Sequence, residues 1–119
     1  MDFEFSAQEQ KVLKQVRAFI KSEVTPELQA ESLAIGYCYG GKLGREFVRK
    51  FAANGWLVPN WPAEYGGLGA SAMLTYAIKE ELAYIMPLIF VAAHMAGPTI
   101  LHFGSEEMKK QWLINWRQN

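Results

Sequence analysis

The stretch Gly55-Trp56-Leu57-Val58-Pro59-Asn60-Trp61-Pro62-Ala63-Glu64-Tyr65-Gly66-Gly67-Leu68-Gly69 constrains this chain more than any other. It sets two tryptophans, two prolines, a tyrosine and four glycines between two helical patterns. A flexible linker is rich in small polar residues and does not expose three large aromatics. Proline fixes φ, and the Gly66-Gly67 pair and Gly69 supply backbone conformations that a Cβ disfavours. The segment reads as a loop folded back onto a helical body.

On either side the spacing is helical. Ser6 followed by Glu9 has the form of a capping box. Behind it Val12, Leu13, Val16, Phe19, Ile20 and Val24 form one apolar face, opposed by Lys11, Lys14, Arg17 and Lys21. Pro26 either kinks this helix or opens a short continuation capped by Thr25. Gly36, Gly40 and Gly41 mark a loop. Leu43, Phe47 and Phe51 recur every fourth residue, and Asn54-Gly55 is a helix stop. Ser71 can cap a third helix with the stripe Leu74, Ala77, Ile78, Leu82 and Ile85. Pro87 starts an apolar fourth helix that Gly104 closes. Ser105 caps the last, where Glu106 and Glu107 precede Lys109 and Lys110 in the order that suits a helix dipole. Trp112, Leu113 and Trp116 are its expected apolar contacts. No sustained β alternation and no internal repeat occurs. The expected fold is one all-α domain over residues 1–119, an orthogonal bundle of about five helices.

Charge and ligand chemistry exclude several functions. Twelve basic and twelve acidic side chains cancel without runs, which argues against a nucleic-acid face built on clustered Lys and Arg. Cys38 is the single cysteine, so no intrachain disulfide can form, and it reads as a small apolar filler between Tyr37 and Tyr39. The apolar segment 85–103 nearly matches a membrane span in length. Pro87, His94, Gly97, Pro98 and His102 interrupt it, so it reads as a helix buried in protein. No secretory leader is visible, and the expected setting is cytoplasmic, without nucleic acid or membrane. His94 and His102 have no partners at metal-ligand spacing. Glu80 and Glu81 point apart on a helix and do not read as an acid/base pair. The Gly66-Gly67-Leu68-Gly69 run precedes a helix, but no strand leads into it and no lysine follows, so it is not a phosphate-binding P-loop.

Five blocks, in order, resemble the N-terminal helical domain of the flavin-dependent acyl-CoA dehydrogenases. Asp2-Phe3-Glu4-Phe5-Ser6-Ala7-Gln8-Glu9-Gln10 resembles the entry to the family's first helix, and Glu23-Val24-Thr25-Pro26 the turn after it. The loop from Gly55-Trp56 to Gly69 is similar to the family's N-terminal signature. Glu80-Glu81-Leu82-Ala83-Tyr84 resembles the next helix, and Phe103-Gly104-Ser105-Glu106-Glu107-Met108-Lys109-Lys110 the turn into the last. The resemblance covers nearly the whole chain.

The resemblance implies an enzyme that oxidises the α,β C–C bond of an acyl-CoA thioester. A glutamate removes the α-proton while hydride passes to FAD. Family members combine this domain with a middle β domain and a C-terminal helical domain, usually as homotetramers or homodimers. Those other domains supply the base and most flavin contacts, and they are absent from a chain that stops at Trp116-Arg117-Gln118-Asn119. No residue here is therefore expected to be catalytic, and the chain alone is expected neither to retain FAD nor to turn over. Its expected contribution is to acyl-pocket shape and scaffold. Leu88, Val91, Ala92 and Met95 share one helical face and resemble acyl-pocket positions. Within the signature loop Trp56, Pro62, Glu64, Tyr65, Gly66, Gly67 and Gly69 are expected to brace helices rather than touch ligand. Two alternatives remain: the N-terminal domain of a related flavin monooxygenase, and a stand-alone interaction or oligomerisation module. In the second, the apolar helix surface would drive self-association.

Overall fold

The computed structural model describes residues 4–36, 41–83 and 92–115. Among them it is all-α, with six α-helices and no strand. Helix α1, Ala7–Glu23, begins at the capping box: the Glu9 N–H donates to Ser6 Oγ at 3.2 Å, and the Ser6 N–H donates to Glu9 Oε2 at 2.9 Å. Pro26 does not kink α1. It opens a separate helix, α2 (Pro26–Ala34), capped by Thr25 through the Leu28 N–H at 3.2 Å. Proline is suited to that first-turn position because its missing N–H would have no helical partner there.

Helix α3, Lys42–Ala53, starts at Gly41, which has no side chain to cap it. The cap comes from α2 instead. The Gly44 and Leu43 N–H groups donate to the two carboxylate oxygens of Glu31 at 2.8 and 3.2 Å. One side chain thus satisfies two orphan donors and places a negative charge at the positive end of the helix. Helix α4, Ala72–Ala83, is capped by Ser71, whose Oγ accepts from the Leu74 N–H at 3.1 Å. The Ser71 hydroxyl in turn donates to Glu9 Oε1 at 2.7 Å. Glu9 therefore joins the N-termini of α1 and α4, and these hydrogen bonds, Ser71's above all, hold its carboxyl below the usual range.

Helix α1 packs on α4 and α2 on α3. The core between them contains Leu13, Val16, Ile20, Leu28, Phe47, Phe51, Trp56, Leu74, Ile78 and Leu82. Its aromatic centre is a set of offset and edge-on contacts. Phe19 lies 5.4 Å from Trp56 and 5.6 Å from Phe47, and Phe51 lies 5.7 Å from both Phe47 and Trp56. These spacings suit the ring quadrupoles.

The remainder, 92–115, is an arm. A π-helical turn at Ala92–Ala96 leads into α5 (Gly97–Phe103), which Gly104 closes. Ser105 caps α6 (Glu106–Met108), whose chain continues as a π-helical turn through Lys109–Leu113. Ala93 reaches the main core and Leu113 is buried, but Trp112 is half exposed. That corrects the expected apolar contact at Trp112: the wider π turn gives Leu113, not its neighbour, the inward position. The expected positions of Cys38, Ile85, Pro87 and Trp116 lie outside the described residues.

Candidate functional site

The 55–69 loop is closed on itself by backbone hydrogen bonds. The carbonyl of Pro59 accepts from both Leu68 at 3.0 Å and Ala70 at 2.9 Å, and that of Trp61 accepts from Gly69 at 2.9 Å. Between these limbs, Ala63–Tyr65 makes one 3₁₀ turn that ends at Gly66, with φ of 91°. That left-handed conformation is one that residues with a Cβ seldom adopt. Gly67 is required for a different reason: a Cβ there would lie 2.0 Å from the Trp61 carbonyl oxygen. The two glycines let the return limb lie directly against the outgoing one.

The loop's side chains divide by burial. Trp56 and Trp61 are buried, the latter at 2% exposure, and Pro59 is buried with them. Pro62, Glu64 and Gly69 face solvent, and Tyr65 is half-buried. Trp61 and Pro59, left out of the bracing residues expected from sequence, are buried, whereas Pro62 is exposed. The signal was present, since Trp61 precedes a proline in the same aromatic cluster.

Tyr65 leads from the loop to the arm. The Ala63–Tyr65 turn packs against Lys109–Leu113. The Glu106 carboxylate is near enough to the Tyr65 phenol for its charge to raise the phenol's pKa. Glu106 Oε1 also holds Lys109 Nζ at 2.9 Å, and the Lys109 side chain is only 18% exposed. Desolvation raises the Tyr65 phenol, with the Glu106 and Glu64 charges acting in the same direction. The hydrogen bond from Lys109 and its charge lower the Glu106 carboxyl, and Glu106 raises the Lys109 ammonium.

Of the acyl-pocket candidates, Leu88 and Val91 lie outside the described residues, and Ala92 begins the π-helical turn. Met95 is 67% exposed, an apolar side chain held in open space by the approach to α5. His94 is on the same turn. Desolvation by the surface around it, then the Lys79 charge, lowers its pKa. Among the described residues no group of three His, Cys, Asp or Glu side chains could hold a metal ion. No described helix is long and apolar enough to cross a membrane.

Residues 6–116 match the family model "Acyl-CoA dehydrogenase, N-terminal domain", and the chain belongs to that family. It is 30% identical over 115 residues to acyl-CoA dehydrogenase FadE26 of Mycobacterium tuberculosis, a match covering 95% of this chain and 29% of that protein. Solved structures agree. The ChsE4–ChsE5 complex from Mycobacterium tuberculosis superposes with a TM-score of 0.75 at 30% identity, over 97% of this chain and 29% of the other. The Tcur3481–Tcur3483 steroid ACAD gives 0.72 at 32% identity, over 98% and 30%. The chain thus spans about three tenths of the length of these relatives.

The family is FAD-dependent. Two surface clefts bear on whether these residues fit a flavin. One is lined by Phe5, Leu13 and the cations Lys11, Lys14 and Arg17 among others, the second by Glu107, Lys110 and Gln111. Beside Phe5 neither cleft has an aromatic side chain in its lining to stack on a flavin ring, and no step of chemistry is assigned to either.

Proposed function

We propose that this chain is the N-terminal α-domain, residues 1–119, of an acyl-CoA dehydrogenase whose complete form oxidises the α,β C–C bond of an acyl-CoA thioester with hydride transfer to FAD. The domain's part is to shape the acyl pocket and brace the scaffold. The observation that carries this reading is the match of 6–116 to the family's N-terminal domain alone. The acyl wall would include Leu88, Val91, Ala92 and Met95. Met95 supports it, because an apolar side chain turned to open space suits a surface that acyl methylenes cover, each worth ~0.8 kcal/mol when buried. The likeness to a steroid ACAD makes steroid-bearing acyl-CoA thioesters the substrate class to compare with straight-chain ones. The two-protein names of both matched structures make a paired acyl-CoA dehydrogenase subunit the first partner to seek.

Two measurements test the reading. Desalted after incubation with FAD, the chain alone is expected to keep no stoichiometric flavin and to reduce no electron acceptor with either thioester class. Yellow protein with turnover would overturn this. Residues 6–116 grafted in place of the same domain of FadE26 should support flavin retention, and Met95→Arg in the graft should raise KM more than it lowers kcat. A flavin-loaded graft indifferent to Met95→Arg would remove Met95 from the pocket.

A second reading, a helical association module, draws on the exposed Phe103, Met95 and Trp112 of the arm. Light scattering of the chain separates the two: a monomer at all concentrations counts against self-association.

A further inference from the structure

We propose that the cleft along α1 is a binding site for a small amphiphilic anion, an organic carboxylate or phosphate. Its apolar body rests on Phe5 and Leu13 while its charge meets Lys11 and Lys14. The cleft measures about 650 Å³, within the size of small-molecule sites. Its lining is of two kinds. Phe5 and Leu13 supply apolar surface, Leu13 from the main core and Phe5 packed against it. Lys11, Lys14 and Arg17 supply three cations, and no carboxylate lines the cleft.

Helical spacing assembles the charge. Lys11, Lys14 and Arg17 follow one another three residues apart, so they form a strip about 9 Å long on α1. The acidic residues of α1, Glu9 and Glu23, stand near its two ends instead. Like charges at this spacing repel and weaken a helix. Arg17 is already committed: its Nε donates to Glu81 Oε1 at 2.7 Å, which fixes the guanidinium at one end of the strip. Lys11 and Lys14 are exposed and have no acidic partner among the described residues. They carry the net charge of the cleft. At the other end Gln10 Nε2 donates to the Phe5 carbonyl at 2.9 Å, beside the capping box at Ser6. These bonds hold the wall that bears Phe5 against the helix.

The pairing of surfaces selects the ligand. A bare inorganic anion uses the cations alone, and a neutral apolar molecule leaves the two ammonium groups repelling each other. An anion with a short apolar body does both jobs: its charge relieves the Lys11–Lys14 repulsion, and its body covers the open part of the half-buried Phe5 ring. No residue of the 92–115 arm lines this cleft. The site is therefore separate from the proposed acyl wall at Met95 and does not rest on that reading.

Amide NMR of the isotope-labelled 119-residue chain, titrated with octanoate and in parallel with octyl phosphate, tests the site. At least one of the two should shift amides of residues 5–17 saturably, and the tighter of them identifies the head group. Octanamide has the tail without the charge, and inorganic phosphate the charge without the tail. Each should bind about tenfold more weakly than the better amphiphile. The double variant Lys11→Gln/Lys14→Gln should weaken that amphiphile about fivefold to tenfold. Removing like charges leaves the fold intact, which unchanged amide positions in α4 will verify. Lys21→Gln, on α1 outside the cleft, should bind as wild type does. No saturable shift with either amphiphile, or shifts centred outside 5–17, would overturn the site. So would octanamide or phosphate binding equally well, or equal affinity in the double variant.

Discussion

The α1–α4 body and the 92–115 arm are built from similar proportions of large apolar side chains, yet they dispose of them in opposite ways. In the body Phe51, Ile78 and Trp61 are almost wholly enclosed, whereas in the arm Phe103 is 87% exposed. The body also satisfies its helix ends across elements. Glu9 links the starts of α1 and α4, and Glu31 of α2 caps α3. In the arm the described cap of α6 is local, from Ser105 to Met108. A region with an enclosed core and long-range caps can be stable in itself. The arm's outward aromatics instead provide surface that a neighbouring domain or subunit can cover, in keeping with its place in a family of much larger enzymes.

The comparison breaks first at the aromatic residues. Phe51→Ala removes a ring that contacts Phe19, Phe47 and Trp56, and should destabilise the chain by ~3–5 kcal/mol in urea unfolding. Phe103→Ala, at an exposed position, should change it by no more than ~0.5 kcal/mol. Equal losses at the two sites would mean that the arm belongs to the same cooperative core.

The 55–69 loop, which joins α3 to α4, gives the next largest effect. Gly67→Ala forces a Cβ to within 2.0 Å of a backbone oxygen, and rigid backbone cannot yield as a side chain end can, so a loss of ~2–3 kcal/mol is expected. Gly69→Ala meets no atom within 4 Å but sits at φ of +59°, which should cost only about 1–2 kcal/mol. Should Gly69→Ala prove the more damaging in the same unfolding assay, the loop would be held by backbone conformation rather than by the close approach of its limbs.

What could be read from sequence follows the same division by range. The caps at Ser6, Thr25, Ser71 and Ser105 were legible, because a cap and its N–H lie within three residues. So was the stripe Leu13, Val16 and Ile20, because helical period alone decides which residues share a face. Glu31 was not legible as the cap of α3: its partners are 12 and 13 residues away and meet it only once α2 turns back. The packing of the Ala63–Tyr65 turn on Lys109–Leu113 spans still more chain and depends on the loop's closure. For the proposed acyl wall, helical period could put Met95 on an apolar face, but pocket and core require the same chemistry there. Only the fold reveals that Met95 is exposed.

The smallest expected effect concerns the interior of the body. Thr75 Oγ1 and Ser32 Oγ are buried without a hydrogen-bond partner. Their backbones lie within α4 and α2, so the helices do not require the hydroxyls. An unpaired hydroxyl in an apolar interior has lost its water without compensation. Thr75→Val keeps the shape and removes the polar atom, and should leave stability unchanged or raise it by up to ~1 kcal/mol. Ser32→Ala should follow the same sign. A matching substitution in the exposed arm, Thr99→Val, removes a hydroxyl that donates to the Met95 carbonyl at 2.9 Å and should be slightly unfavourable. A gain at Thr75 beside a loss at Thr99 would confirm a dry body and a wet arm. A loss of more than ~1 kcal/mol at Thr75 would instead mean that water or another group reaches into the body.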